Sequence, residues 1–342
     1  MLIAPNVLLG KDLMEMKKKR WWALAIFVVL LVVWTSNSTK AKPDDATGPN
    51  LMSYFNDKPL LTQLYRDGNG ETLALVNLEG IIVDSPANSS YLSTTYNHKL
   101  LLKQLESAFS REDIKGIILQ INSPGGGVYE SDEIYNRISE LKAQYKKPVV
   151  VYMGQEAASG GYYVSVAADK IYANRNTLTG SIGVILRTYN YQQLADKIGV
   201  KDVTFKSGAQ KDLLNPMRPI NDEEQAIMQG LVDESYGYFV DVVAEGRHMD
   251  RDQVMQLADG RIYTGTQAKK LGLIDEVGYL EQAIAGAAQL ANTTNPKVLL
   301  FKNPGPDFLS WLGSMKAPAL DLLGLKQEME QQMAPTLMYI AN

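Results

Sequence analysis

Ser159, in the run AASGGYY (residues 157–163), is the side chain with the clearest chemical potential in this chain. An apolar stretch of strand character (149–153) precedes it, and Tyr162, Tyr163, Val166 and Ala167 follow with helical spacing. Small residues at that junction let the backbone turn sharply from strand into helix. Ser159 then stands at the helix's first turn, where unpaired N–H groups and the positive dipole end favour a developing oxyanion. An acyl-transfer nucleophile needs this. An N-cap serine beside glycines that permit close packing is the plainer reading, and the run alone does not choose between the two.

A nucleophilic serine needs a base. The chain has no cysteine, which excludes disulfides, thiolate catalysis and cysteine-held zinc. Its two histidines, His98 and His248, lie in no recognisable motif. His98 comes just before a helical pattern and His248 in a charged connection (247–250), and both are expected at the surface. The base must come from another residue type. The segment KSGAQKD (206–212) carries Lys206 and Lys211; by itself it reads as a solvated polar loop.

Two glycine turns complete the set. NSPGGG (122–127) follows an apolar strand (116–121), and TGSIG (179–183) enters a second apolar run. Neither the GxxxxGK[ST] phosphate loop nor the GxGxxG dinucleotide fingerprint is present in 122–127. What remains is a backbone able to approach another group closely and point N–H groups at it, or a plain tight turn.

The elements that must position these residues form a repeated pattern. Residues 72–78 and 116–121 read as strands, the second apolar enough to be buried on both faces. Leu101, Leu105 and Ala108 mark one helix, and Ile134, Ile138 and Leu141 another. Strand, glycine turn, helix, strand is a crossover unit, so the fold class is α/β with a parallel sheet. Further on, Asn221 caps a long helix with Glu224 three residues later, and Ile227, Leu231, Tyr238 and Val242 are expected on its buried face. Shorter helices are expected at Leu194 and Ile198, at Val254 and Leu257, and over 280–290.

The length of 342 residues allows one large domain or two ordinary ones. A net charge of −4 gives no reason to expect nucleic acid as a partner. Lys17, Lys18, Lys19 and Arg20 precede the apolar run 21–34, short for a span but extendable by interfacial flanks. No clean cleavage site follows, so an uncleaved anchor over 21–36 is expected rather than a signal peptide. The basic cluster on its N-terminal side places residues 1–20 in the cytoplasm and the rest of the chain outside, in a single-pass arrangement. The proline- and glycine-broken stretch 37–70 reads as a linker, 71–291 as the globular domain, and 292–342 as a tail carrying no motif.

Taken together and in order, INSPGGG, EAASGGYY, DKIYA, TGSIGV, KSGAQKD and GLIDEVG resemble the signal peptide peptidase A family, in its short single-copy bacterial form. The resemblance covers residues 72 to 278. It implies a Clp protease/crotonase-like spiral of β-β-α units and a Ser/Lys endopeptidase. Ser159 matches the family nucleophile, Lys211 its general base, and Ser181 the hydroxyl that helps hold the lysine. Gly126 and Gly160 match the oxyanion hole, with the donor among residues 125–127 open by one place. The implied mechanism needs no metal or organic cofactor. Implied partners are peptide substrates such as signal-peptide remnants, membrane lipid through the anchor, and further copies of the chain in a ring. A lysine works as a base only when neutral, so its reference pKa near 10.4 has to be lowered, and a dry pocket is expected around it. Lys206 is expected to be structural. The tail APTLMYIAN (334–342) is read either as a pseudo-substrate in a neighbouring site or as a packing segment. A CoA-thioester enzyme using the glycine turns, and a non-catalytic membrane scaffold, are the rival readings; the first leaves Ser159 and Lys211 without a task.

Overall fold

The computed structural model describes residues 60–84, 96–302 and 338–341. The expected anchor over 21–36, with the cytoplasmic segment before it, lies outside them. Among the described residues, no helix is long and apolar enough to cross a membrane.

Apolar runs in the middle of the chain form a parallel sheet. Its centre is β2 (Thr72–Glu79), β3 (Ile114–Ser123) and β5 (Val149–Ala158), each parallel to the next. Beyond β5 come β6 (Lys170–Ala173) and β9 (Glu276–Val277), also parallel. On the other side β10 (Lys297–Phe301) runs parallel to β2, and β1 (Thr62–Arg66) closes the edge antiparallel to β10. β1 falls in the stretch read as linker, and β10 in the stretch read as tail. Both extend the sheet beyond the expected domain limits. Every residue of β1 is exposed, which is why no period-2 pattern announces it.

Helices cover both faces of the sheet, which explains the near-continuous apolar runs of its central strands. On one face Val76, Leu119 and Val151 pack with Leu105 and Phe109 of α1 (His98–Ser110) and Ile134 and Ile138 of α2 (Val128–Tyr145). On the other, Leu75, Ile118 and Val150 meet Ala283, Ile284 and Ala287 of the C-terminal helix Leu280–Leu290. The long helix Asp222–Arg247 carries the capping box expected of Asn221 and Glu224. Its buried face is the expected one only at Val242, which is partly buried against the core. Ser235, Phe239, Val240 and Val243 are buried, whereas Ile227, Leu231 and Tyr238 are exposed. Two apolar stripes run along this helix, and only the tertiary contact with the core decides between them.

β5 does not stop at the edge of the main sheet. Its last residues pair in parallel with β7 (Leu178–Gly180), which is itself antiparallel to β8 (Ile262–Thr264). The register sets Ala158 opposite Gly180. Through this extension the sheet brings the AASGG and TGSIG turns side by side.

Candidate active site

Ser159 occupies the turn between β5 and the short helix α3 (Gly160–Ser165). Its φ of 52° and ψ of −117° are strained for a residue with a Cβ. The turn is held on both sides: the Ser159 amide donates to the Gly180 carbonyl at 2.7 Å, and the Tyr163 amide donates to the Ser159 carbonyl at 2.8 Å. The residue is 1 % exposed, and its Oγ is buried without a hydrogen-bond partner. A folded protein rarely leaves a buried hydroxyl unpaired, and backbone strain in the same residue makes Ser159 a candidate functional residue.

Gly126 lies in the three-residue strand β4 (Gly125–Gly127). The Gly125 carbonyl accepts from the Ile82 amide and the Gly127 amide donates to the Ile82 carbonyl, so these two flanking residues bond to one side. The N–H and C=O of Gly126 therefore face the other side, because alternate residues of a strand bond to opposite neighbours. Among the three glycines, the middle one thus turns its amide away from Ile82 and toward the strand paired with it on the other side. Bare backbone is required here. A Cβ on Gly126 would stand 1.9 Å from the Ile82 carbonyl oxygen, and one on Gly160 would stand 2.4 Å from Ser131 Oγ. Gly160 is the first residue of α3, where an amide has no partner within the helix.

The cleft is filled by the chain's own C-terminus. β11 (Met338–Ile340) runs antiparallel to β4, with Tyr339 opposite Gly126. Ile185 and Met338 exchange two backbone bonds of 3.1 Å on the tail's other edge, and the Ala341 amide donates to the Pro124 carbonyl at 2.9 Å. Sitting between two strand edges is how an extended peptide is recognised. The Tyr339 carbonyl oxygen lies beside the glycines: it is 3.2 Å from the position of a Cβ on Gly160 and 2.1 Å from one on Gly125. The tail thus packs in the cleft of its own chain rather than in a neighbouring site.

Ser181, buried at the end of β7 with φ 50°, follows Gly180 and so lies next to the Ser159 turn; its amide donates to the Arg261 carbonyl at 2.8 Å. Lys211 is different. It sits on a single 3₁₀ turn (Ala209–Asp212) and is exposed to solvent, and Ser159 Oγ makes no hydrogen bond to it. Among the described residues, no dry pocket closes around this lysine. Its neighbour Asp212 is held firmly: Lys206 donates to it at 2.6 Å and Arg218 through Nε at 3.0 Å and Nη2 at 2.9 Å. Arg218, and after it Lys206, hold the Asp212 carboxyl well below the usual carboxylate range. Arg218 also grips Glu224, whose pKa it lowers together with the Asn221 amide. Lys206 is thus structural, as expected. Arg218 itself carried no sequence signal beyond being a cation six residues from each carboxylate.

His98 departs from expectation. It is buried, with Nδ1 2.6 Å from the Tyr96 hydroxyl and Nε2 2.7 Å from Glu133 Oε2, so it anchors the start of α1 to α2 instead of lying at the surface. His248 is exposed and ends the long helix in a left-handed conformation.

The chain is similar in sequence to several known proteins. The sequence profile described as Peptidase family S49 matches residues 141–294, which include Ser159, Ser181 and Lys211. An Enterococcus faecium protein named as a signal peptide peptidase SppA is 37% identical over 307 residues, 87% of this chain and 89% of its own length. A Methanocaldococcus jannaschii protein named as a protease is 43% identical over 188 residues, 55% of this chain and 60% of its own. Protease 4 of Haemophilus influenzae is 35% identical over 223 residues, 64% of this chain and 35% of its own. With an α/β fold, a parallel-rich sheet and this serine turn, the chain belongs to the signal peptide peptidase A family, peptidase family S49, and is a serine endopeptidase.

Proposed function

We propose that this chain is a membrane-anchored Ser–Lys endopeptidase that degrades signal-peptide remnants and other apolar peptides beside the membrane, as a self-compartmentalising ring of Clp-like spiral subunits. One observation carries the reading: a buried, strained, unpartnered Ser159 hydroxyl next to a peptide strand whose Tyr339 carbonyl lies against Gly126 and Gly160. In this mechanism Ser159 Oγ attacks a peptide carbonyl carbon and its proton passes to the neutral Lys211 amine. The Gly126 and Gly160 amides hold the oxyanion, and the leaving nitrogen takes the proton back from Lys211 as the C–N bond breaks. Water then attacks the acyl-serine by the same route, giving a free carboxylate. Ser181 holds the lysine in place.

The exposure of Lys211 in one chain supports a site completed by a neighbouring copy. The segment leading to it supplies the surface: Tyr189, Leu194, Ile198, Val203 and Phe205 are all exposed, Phe205 at 94 %. An apolar run of that kind on a soluble face marks an association surface. Burial there would remove water from Lys211 and favour its neutral form. The anchor over residues 21–36 would hold the domain on the extracytoplasmic side, close to peptides leaving the bilayer.

The test is covalent labelling of the full-length protein by a fluorophosphonate. Labelling at Ser159 that disappears in both Ser159→Ala and Lys211→Ala is the expected result. Undiminished labelling in Lys211→Ala would remove the lysine from the mechanism.

A further inference from the structure

Two buried serines outside the reacting groups hold the ends of the glycine strand β4. Ser123 closes β3 and is fully buried, paired in parallel with Ala157 of β5, two residues before Ser159. Its Oγ accepts a hydrogen bond from the Gly125 amide at 3.1 Å, across Pro124. That bond fixes a turn in which Gly125 takes φ 101°, a conformation open to glycine and rarely to other residues. Ser123 also backs the serine turn: a Cβ on Gly161 would stand 2.9 Å from its carbonyl oxygen, so backbone packs on backbone there. Ser131, in the first turn of α2, is equally buried and donates through Oγ to the Gly127 carbonyl at 2.8 Å. It fills the space beside Gly160, where a Cβ would overlap its Oγ. The bonds to Ile82 fix which segment β4 pairs with on its outer edge; the two serines touch both β4 and α3. Between them the Gly126 nitrogen lies 3.2 Å from the position of a Cβ on Gly160, so the two glycine amides are close neighbours.

We infer that Ser123 and Ser131 are positioning residues for the peptidase reaction: together they set the separation of the Gly126 amide from the Gly160 amide, so that both reach one oxyanion. The inference rests on those two amides forming the oxyanion hole. Such a hole works through donors already in place when charge develops, and its worth falls steeply with misplacement. A bound peptide in its ground state asks less, because strand pairing along β4 and at Ile185 holds it. Loss of either hydroxyl therefore slows the chemical step and leaves peptide binding as it was. Removing a donor outright costs about 10²–10³-fold, whereas loosening it through one neutral hydrogen bond costs at most about tenfold. Ser123→Ala strips the Gly125 amide of its partner and approaches that limit. Gly127 is the N-cap of α2, so its carbonyl keeps the first helical bond when Ser131 is lost, and about threefold is expected there.

The test compares full-length chains, unaltered and with Ser123→Ala or Ser131→Ala, on a fluorogenic peptide and on a matched pair of inhibitors. One inhibitor is a peptide aldehyde, which forms a hemiacetal with Ser159 and places its oxygen in the hole. The other is the corresponding alcohol, which binds the same groove and forms no such adduct. Expected are an unchanged KM and a kcat lower by about tenfold in Ser123→Ala and about threefold in Ser131→Ala. The ratio of aldehyde to alcohol affinity should fall by the same factors. Ser131→Ala strips no backbone donor, and it carries the test by itself if Ser123→Ala does not fold. A ratio that keeps its unaltered value in the folded variants would make the serines merely structural and overturn the inference, leaving the oxyanion hole in place. A raised KM with kcat intact would do the same. An aldehyde that binds the unaltered enzyme no tighter than the alcohol would overturn the hole at Gly126 and Gly160, and the inference with it.

Discussion

The Ser159 amide donates to the Gly180 carbonyl at 2.7 Å, which ties the turn holding the buried hydroxyl to the turn holding Ser181. Two glycine-flanked serines far apart in sequence become neighbours because β5 extends past its main partners to pair with β7. The strained backbone at both serines, φ 52° and 50°, belongs to the same junction.

Removing the Ser159 hydroxyl should abolish cleavage without weakening the fold. Its Oγ makes no hydrogen bond, so Ser159→Ala forfeits none, and relief of a buried unpaired group stabilises by up to about 1 kcal/mol. Expected are a loss of activity of about 10³-fold or more and a Tm equal to or above that of the unaltered chain. A clear drop in Tm would mean the hydroxyl has a structural partner.

The glycines should tolerate no side chain. Gly160→Ala puts a Cβ against Ser131 Oγ, so its Tm should fall, with an overpacking cost of about 1–3 kcal/mol. Adding Ser131→Ala removes the clashing oxygen and should return part of the lost stability. Gly126→Ala meets backbone at Ile82 and should find no such rescue. Equal melting temperatures for the single and double variants would contradict the packing described.

The pH profile should separate the base from its support. Asp212 and Glu224 have lowered pKa values, Asp212 through Arg218 and then Lys206, Glu224 through Arg218 and then the Asn221 amide. A depressed folded-state pKa gives stability that is complete above the unfolded value near 4 and drains away as pH falls through the folded value. The clamp is thus intact from neutral to alkaline pH, and titration of these carboxylates cannot shape the profile there. Activity should rise toward alkaline pH, as required of an amine that must be neutral to accept a proton. Arg218→Met should lower the whole profile about tenfold or more by loosening the Lys211 turn, and leave the position of its alkaline limb unchanged. A limb that moves with Arg218→Met would assign it to the carboxylate cluster.

Much of this was legible in the sequence because the central strands are buried on both faces and so read as unbroken apolar runs. The turns at Ser159, Gly126 and Ser181 announced themselves by glycines that the backbone needs. β1 and β10 gave no such sign: β1 is wholly exposed, and both pair across most of the chain's length. The long helix offered Ile227 and Phe239 on rival stripes, and no periodicity says which one the core will take. His98 looked like a surface histidine because its partners Tyr96 and Glu133 are polar and, in the second case, distant in sequence. Tyr339 lay in a tail read as a pseudo-substrate or a packing segment; its place against Gly126 is a pairing between residues far apart in the chain, which no local pattern shows.

Mixing two inactive proteins tests most directly whether Lys211 activates Ser159 across a subunit boundary. Full-length Ser159→Ala and Lys211→Ala chains, dissociated and reassembled together, should regain partial cleavage, with fluorophosphonate label found on the Lys211→Ala chains alone. Mixed assemblies, verified by native mass spectrometry, that neither cleave nor take up label would contradict it.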